Sequence, residues 1–225
     1  MIVRLIVQTL LSLVVMGVLL FGAAGTLAWL AAWLYLLEIG VVGVAVGLWL
    51  ARVDPDLLVQ RMRPFISRDQ SRWDRVFMSI VLAAMCAWLI LIGVDAVRFG
   101  WSHVPVWLSV AGAIAVFVVF WLTREVYRAN HFATPIVEIQ HARGHKVVDN
   151  GPYAIVRHPM YGAATLFFIG TPLMLGSWWG LAGVPLLTAA LGYRAMNEER
   201  MLADGLDGYR EYMQRVRYRF VPGIW

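Results

Sequence analysis

An all-α, polytopic membrane helical bundle is the fold class this sequence predicts, and three observations predict it. Of its 225 residues, 60% are hydrophobic and only 15% are charged, whereas soluble domains carry roughly 25% charged residues. The apolar residues gather into runs near the length of about 20 residues that crosses a hydrocarbon core. The basic residues fall between those runs with a one-sided bias. Six membrane segments are expected, the last two forming a helical hairpin, followed by a short interfacial helix. The chain divides into 1–122, N-terminal transmembrane helices, and 123–225, a polar stretch followed by the hairpin and the C-terminal helix.

The first two segments are 5–22 and 27–50, joined by Ala23-Ala24-Gly25-Thr26, which is long enough only for a tight helical hairpin. Their combined apolar length far exceeds the roughly 7–15 residues of a signal-peptide core, so both are expected to remain in the mature protein. Segments three and four are 76–97 and 104–122, with Pro105 suited to a helix start. Residues 123–158 are polar and mixed. Segments 160–176 and 178–193 are shorter and broken by Pro172, Gly176, Gly180 and Pro185. Such interruptions are tolerated at membrane depth where they line a protein cavity. Beyond them Gly205 reads as a helix stop and Asp207 as the N-cap of a short helix. There Tyr209, Tyr212, Met213 and Val216 form an apolar face opposite Arg210, Glu211, Arg215 and Arg217.

With the N-terminus inside and six crossings, 18 of the 19 basic residues, all but Arg98, lie on the cytoplasmic side. Arg52, Arg61, Arg63, Arg68, Arg72 and Arg75 share the 51–75 loop. Both termini and any polar chemistry are therefore expected at the cytoplasmic face. The net charge of +5 is thus a matter of topology, and no nucleic-acid partner is expected. The single Cys86 excludes an intrachain disulfide.

Four of five histidines, His131, His141, His145 and His158, lie within 28 residues. No cysteine accompanies them and no HExxH pattern is present, so no metal is expected. Neither GxGxxG nor a Walker-type loop occurs. In Arg157-His158-Pro159, Pro159 is pre-organised for the first helical position. That sets His158 at the mouth of the hairpin beside first-turn N–H groups able to hold an anion. Contact of Arg157 and His158 with lipid headgroups is the competing reading. Arg194 and Glu198 share a helix face at the membrane boundary, followed by Glu199. Ionisable residues there usually mark function, although a structural salt bridge between them is the plain alternative. Glu38 reads as a helix-packing partner and Asp95 as an interfacial residue.

The run GHKVVDNGPYAIVRHPMYGA, the Arg194…Glu198-Glu199 constellation and the closing Tyr209-Arg-Glu-Tyr212…Val216-Arg-Tyr-Arg219-Phe-Val-Pro222 resemble the isoprenylcysteine carboxyl methyltransferase family. The likeness covers about residues 130–225. It extends more loosely to phospholipid N-methyltransferases and remotely to membrane sterol reductases. It implies S-adenosylmethionine as cofactor, held by Gln140, His145, Lys146, Val147, Val148, Tyr153, His158, Pro159, Met160 and Tyr161, with Glu198 closing the shell. It also implies that Arg194 orients a lipophilic small-molecule or lipid-modified acceptor, with membrane lipids as surroundings. Arg194, Glu198 and Glu199 are the expected catalytic residues. If the acceptor is an amine, Glu198 or Glu199 is a candidate base. An NADPH-dependent reductase, its extra phosphate met by Arg215, Arg217 and Arg219, and a non-catalytic membrane protein are the remaining alternatives.

Overall fold

The computed structural model describes residues 1–64, 66 and 72–225, and no strand occurs among them. Four helices are long and apolar enough to cross a membrane. Helix α1 (Ile2–Ala24) ends at Gly25, whose left-handed φ of 73° closes the turn into α2 (Leu30–Val53). Most of α1 faces outward as exposed Val and Leu, while Leu20, Phe21 and Ala24 are buried. That pattern fits a helix with lipid on one side and protein on the other.

The basic loop after α2 is not wholly irregular. Asp54 accepts the Leu57 N–H at 3.0 Å and Pro55 occupies the first turn, so a short helix α3 (Pro55–Arg61) forms and buries Leu57 and Leu58. Arg68, counted with that loop, lies outside the described residues. Helix α4 (Arg72–Gly93) follows and passes into a π turn (Val94–Arg98). Helix α5 (Val106–Ala129) runs well past its apolar stretch into polar residues. Pro105 stands just before it as the N-cap.

The C-terminal hairpin departs from the expected two segments. Helix α6 (Pro159–Leu175) keeps Pro172 inside and stops at Gly176, φ 87°. A five-residue helix α7 (Trp178–Ala182), capped by Ser177, comes next. Only after Gly183 does α8 (Val184–Gly205) begin, and it carries its polar end without a break through Glu198 and Glu199. The segment 178–193 is therefore split, because Ser177 caps one helix and Gly183-Pro185 starts another. The last helix α9 (Tyr209–Arg215) is preceded by Gly208 at φ 81°, so Gly208 rather than Asp207 is its N-cap. Its apolar face, Tyr209 and Tyr212 with Val216, packs on Val147, Leu202 and Leu206 of the same chain.

Two contacts fix the frame. A Cβ on Gly112 of α5 would stand 2.5 Å from the Met174 nitrogen and 2.7 Å from the Gly170 carbonyl oxygen of α6, so the two helices touch backbone to backbone. In the π turn that follows α4, Asp95 is wholly buried. Its Oδ2 accepts from Ser102 Oγ and Ser177 Oγ, both at 2.6 Å, and from the Trp179 N–H at 3.3 Å. These partners lie in loops that the packing folds onto the helix end, which position along a span does not reveal. Glu38 is half-buried on α2, and among the described residues no hydrogen bond or ion pair holds its carboxylate.

Candidate functional site

At the polar ends of α5, α6 and α8 lies a cavity of about 630 Å³, whose lining sorts by chemistry into an apolar limb and a polar one. One limb is apolar, lined by Val119, Phe120, Ala163, Ala164, Phe167 and Leu191. The other is polar and is bounded by the 130–158 loop, the start of α6 and the end of α8.

The loop is held by Gln140. Its buried side chain donates to the Phe132 carbonyl at 3.0 Å and receives a bond from Arg143. The Gln140 N–H donates to His145 Nδ1 at 3.3 Å, and the imidazole stacks on Phe132 with ring centres 4.5 Å apart. With Nδ1 accepting, the proton belongs on Nε2. Burial keeps this imidazole below its ordinary range, against the opposing pull of Glu198.

The Arg157-His158-Pro159 junction is pinned by the C-terminal segment. The Arg157 N–H donates to the Tyr218 carbonyl at 2.9 Å, and the His158 N–H donates to the Arg219 carbonyl at 2.8 Å. Pro159 takes the first helical position. The His158 carbonyl accepts the N–H groups of Tyr161 and Gly162. Those two amides are thereby engaged within the turn, and the anion-holding helix start expected from the sequence is reduced accordingly.

Two polar networks diverge from adjacent residues of α8. Glu199 is 3% exposed and gathers cations: Arg157 Nε at 2.7 Å, Arg219 at 2.9–3.1 Å and His158 Nε2 at 3.2 Å. Burial pushes its carboxyl up, but the hydrogen bonds and charges of His158 and Arg157 outweigh that and bring it down to about 2. An ionised carboxylate accepts only, so His158 Nε2 carries the proton toward it. Arg157 also donates to the Val216 and Arg217 carbonyls, at 2.9 and 3.1 Å, so its guanidinium binds the tail rather than lipid.

The second network opens on the cavity. The Tyr161 hydroxyl donates to Glu198 Oε2 at 2.7 Å and accepts from Arg194 NH1 at 3.1 Å. Arg194 further donates to the Pro135 carbonyl at 2.7 Å and to Asp74 Oδ1 at 3.4 Å. Arg194 and Glu198 are therefore joined through Tyr161, and no ion pair within 4 Å links them directly among the described residues. The Tyr161 ring lies parallel to His158, centres 5.3 Å apart.

Of the residues expected at the site, His145, Lys146, Val147, Val148, Tyr153, His158, Met160, Tyr161, Arg194 and Glu198 line this cavity together. Gln140, Pro159 and Glu199 do not: the first holds the loop, the second starts α6, and the third faces Arg157 and Arg219. Asp74 and the Pro135 carbonyl, which hold Arg194, carry no signal in the sequence. Tyr209 and Tyr212, read as an apolar face and as part of the closing motif but not as site residues, line the cavity, and Arg61 of α3 also reaches it. Burial pushes the phenols of Tyr153, Tyr209 and Tyr212 above their ordinary range, so they remain neutral. His131 is exposed and paired with Asp54, and His141 is exposed.

Residues 107–206 match the model of a protein family described as phospholipid methyltransferase. Over that stretch, which contains most of the cavity, the chain is similar to a family of membrane methyltransferases. No curated protein matches the chain.

Proposed function

We propose that this protein transfers the methyl group of S-adenosylmethionine to a lipophilic acceptor, with the chemistry and both termini on the cytoplasmic side. The observation that carries the reading is one cavity lined both by apolar side chains and by the hydrogen-bonded Arg194, Tyr161 and Glu198. The polar limb suits the cofactor. Tyr153 and Tyr161 offer aromatic faces, worth about 0.5–2 kcal/mol toward a cation. Glu198 adds negative charge, and its Oε1 takes no hydrogen bond among the described residues. The backbone of Val147 and Val148 is available to a purine edge. When bound, the cofactor supplies a sulfonium methyl whose positive charge disappears on transfer.

The chain's own residues supply position and exclusion of water. Phe120, Phe167 and Leu191 form a dry limb for an apolar tail, and Tyr209 and Tyr212 cover the polar limb. Alignment of donor and acceptor in such a cavity gives most of the acceleration. A carboxylate acceptor of the isoprenylcysteine type needs no base and is oriented by Arg194. A second reading, an amine acceptor such as a phospholipid headgroup, is favoured by one observation: Arg194 is already engaged by Asp74, Pro135 and Tyr161. There Glu198 takes the proton before attack.

The test uses methyl-labelled S-adenosylmethionine with sealed vesicles of both orientations, supplied with prenylcysteine or phosphatidylethanolamine. Label in lipid, formed only where the cytoplasmic face is outward, is the expected result. Release of labelled methanol by alkali identifies an ester, and retention identifies an N-methyl product. No transfer to any lipid, with thermal stabilisation by NADPH but not by S-adenosylmethionine, overturns the reading in favour of a reductase.

A further inference from the structure

Helix α3 is fixed more firmly than seven residues ordinarily are. Asp54 caps it, Leu57 and Leu58 are buried beneath it, and the Met62 carbonyl just beyond it accepts from Arg4 at 2.9 Å and Gln8 at 3.1 Å. So short a helix has little stability of its own, and these anchors set the position of its last residue, Arg61. That residue lines the cavity. Its guanidinium lies over the Tyr127 ring, 5.1 Å from the centroid, and makes one long bond of 3.4 Å to the Ala133 carbonyl.

The other cations on the cavity wall are differently placed. Arg157 is paired with Glu199 and donates to two carbonyls, and Arg194 is paired with Asp74 and donates to Pro135 and Tyr161. Lys146 is exposed. Arg61 alone among these three arginines has no carboxylate partner among the described residues. A guanidinium presents five N–H donors in a planar fork that matches an oxyanion, and one long bond leaves that fork largely available.

We infer that Arg61 is the anion anchor of the cavity, its guanidinium holding an oxyanion of the bound ligand, either the carboxylate of the cofactor's amino-acid end or the phosphate of a phospholipid acceptor. The inference rests on the methyltransferase reading of the same cavity. It assigns a binding role to the N-terminal half, through a residue that charge counting sees only as a mark of topology.

The experiment uses full-length protein in micelles, with Arg61→Gln and Arg61→Lys. The probes are S-adenosylhomocysteine, its decarboxylated analogue and short-chain phosphatidylethanolamine, with melting temperature recorded for each variant. Loss of one charge-assisted contact is expected to weaken binding about ten- to hundredfold. If the cofactor carboxylate is held, Arg61→Gln weakens S-adenosylhomocysteine but not the decarboxylated analogue. If the phosphate is held, only the phospholipid is weakened. Arg61→Lys, which keeps charge but not the fork, lies between wild type and Arg61→Gln in either case and serves alone if Arg61→Gln does not fold. Unchanged affinity for both ligands in a variant that folds, while wild type binds them, overturns the anchor. Wild type that binds neither ligand overturns the methyltransferase reading, and the anchor falls with it.

Discussion

Helix α4 carries a buried aspartate at each end, and the two do different things. Asp74 and Asp95 are 21 residues apart, roughly 30 Å along a helix, about the thickness of a hydrocarbon core. Asp95 Oδ2 is held by two serine hydroxyls and one amide, and the residue does not line the cavity described above. Asp74 holds Arg194, which reaches Tyr161 and through it Glu198, on the wall of a large cavity. Burial of a charged group in a membrane bundle is thus no mark of function in itself. What separates the two ends is whether the network has atoms facing a space that a ligand can fill.

Breaking the closed end gives the largest expected effect. Asp95→Ala strands three buried donors and is expected to cost about 3–5 kcal/mol of stability. Affinity for S-adenosylhomocysteine in the folded fraction should stay within about twofold. Thermal melting and calorimetric titration together check this, and weakened binding without a lowered melting temperature would contradict the division between the two ends.

Glu199, beside the cavity but turned from it, tests the middle ground. Its folded value of about 2 lies below the ordinary 4.5. Its contribution, of order 3 kcal/mol, is therefore complete above 4.5 and is lost as pH falls from 4.5 toward 2. Proteolysis of the 216–225 segment should be flat from pH 8 to 5 and accelerate below 4.5. Glu199→Gln should show faster cleavage at neutral pH and little further change on acidification. A pH dependence in the variant equal to wild type would remove Glu199 as the tether.

The open end should give the smallest loss of stability and the clearest separation of roles. Arg194→Lys keeps the charge but loses the planar fork, so turnover should fall while cofactor affinity holds. Glu198→Gln should weaken S-adenosylmethionine binding about five- to tenfold with little change in melting temperature. Parallel losses of stability in both variants, with binding and turnover unseparated, would make this end structural as well.

The same contrast shows what the sequence reveals. The four long spans were legible because lipid imposes composition directly, and Pro159 was legible because its ring favours a helix start. The gathering of His145–Val148, Tyr153 and Tyr161 with Arg194 and Glu198 on one cavity was accessible only through the family resemblance. The burial of Asp95 was not legible because its partners Ser102 and Ser177 lie 7 and 82 residues away, and the end of a span does not say what folds over it. Asp74 went unnoticed for the same reason, being 120 residues from Arg194. Helix α3 had a readable signal in Asp54-Pro55, obscured by the basic loop around it. The opposed directions of Glu198 and Glu199 follow from helical rotation of about 100° per residue, but which of them meets the cavity is decided by the tail that brings Arg219.

The crossing of α5 and α6 at Gly112 and Gly170 has a mechanical consequence. Where backbones touch, no side chain is left to rotate or yield, so these two helices form the stiff wall of the chamber. Compliance then belongs to the opposite wall, where α4 meets α8 through the edges of Trp73, Phe77 and Tyr193, 5.9–6.0 Å between ring centres, and to the C-terminal segment tied by Glu199. On the reading proposed above, the side carrying Tyr161 is the one against which donor and acceptor are aligned.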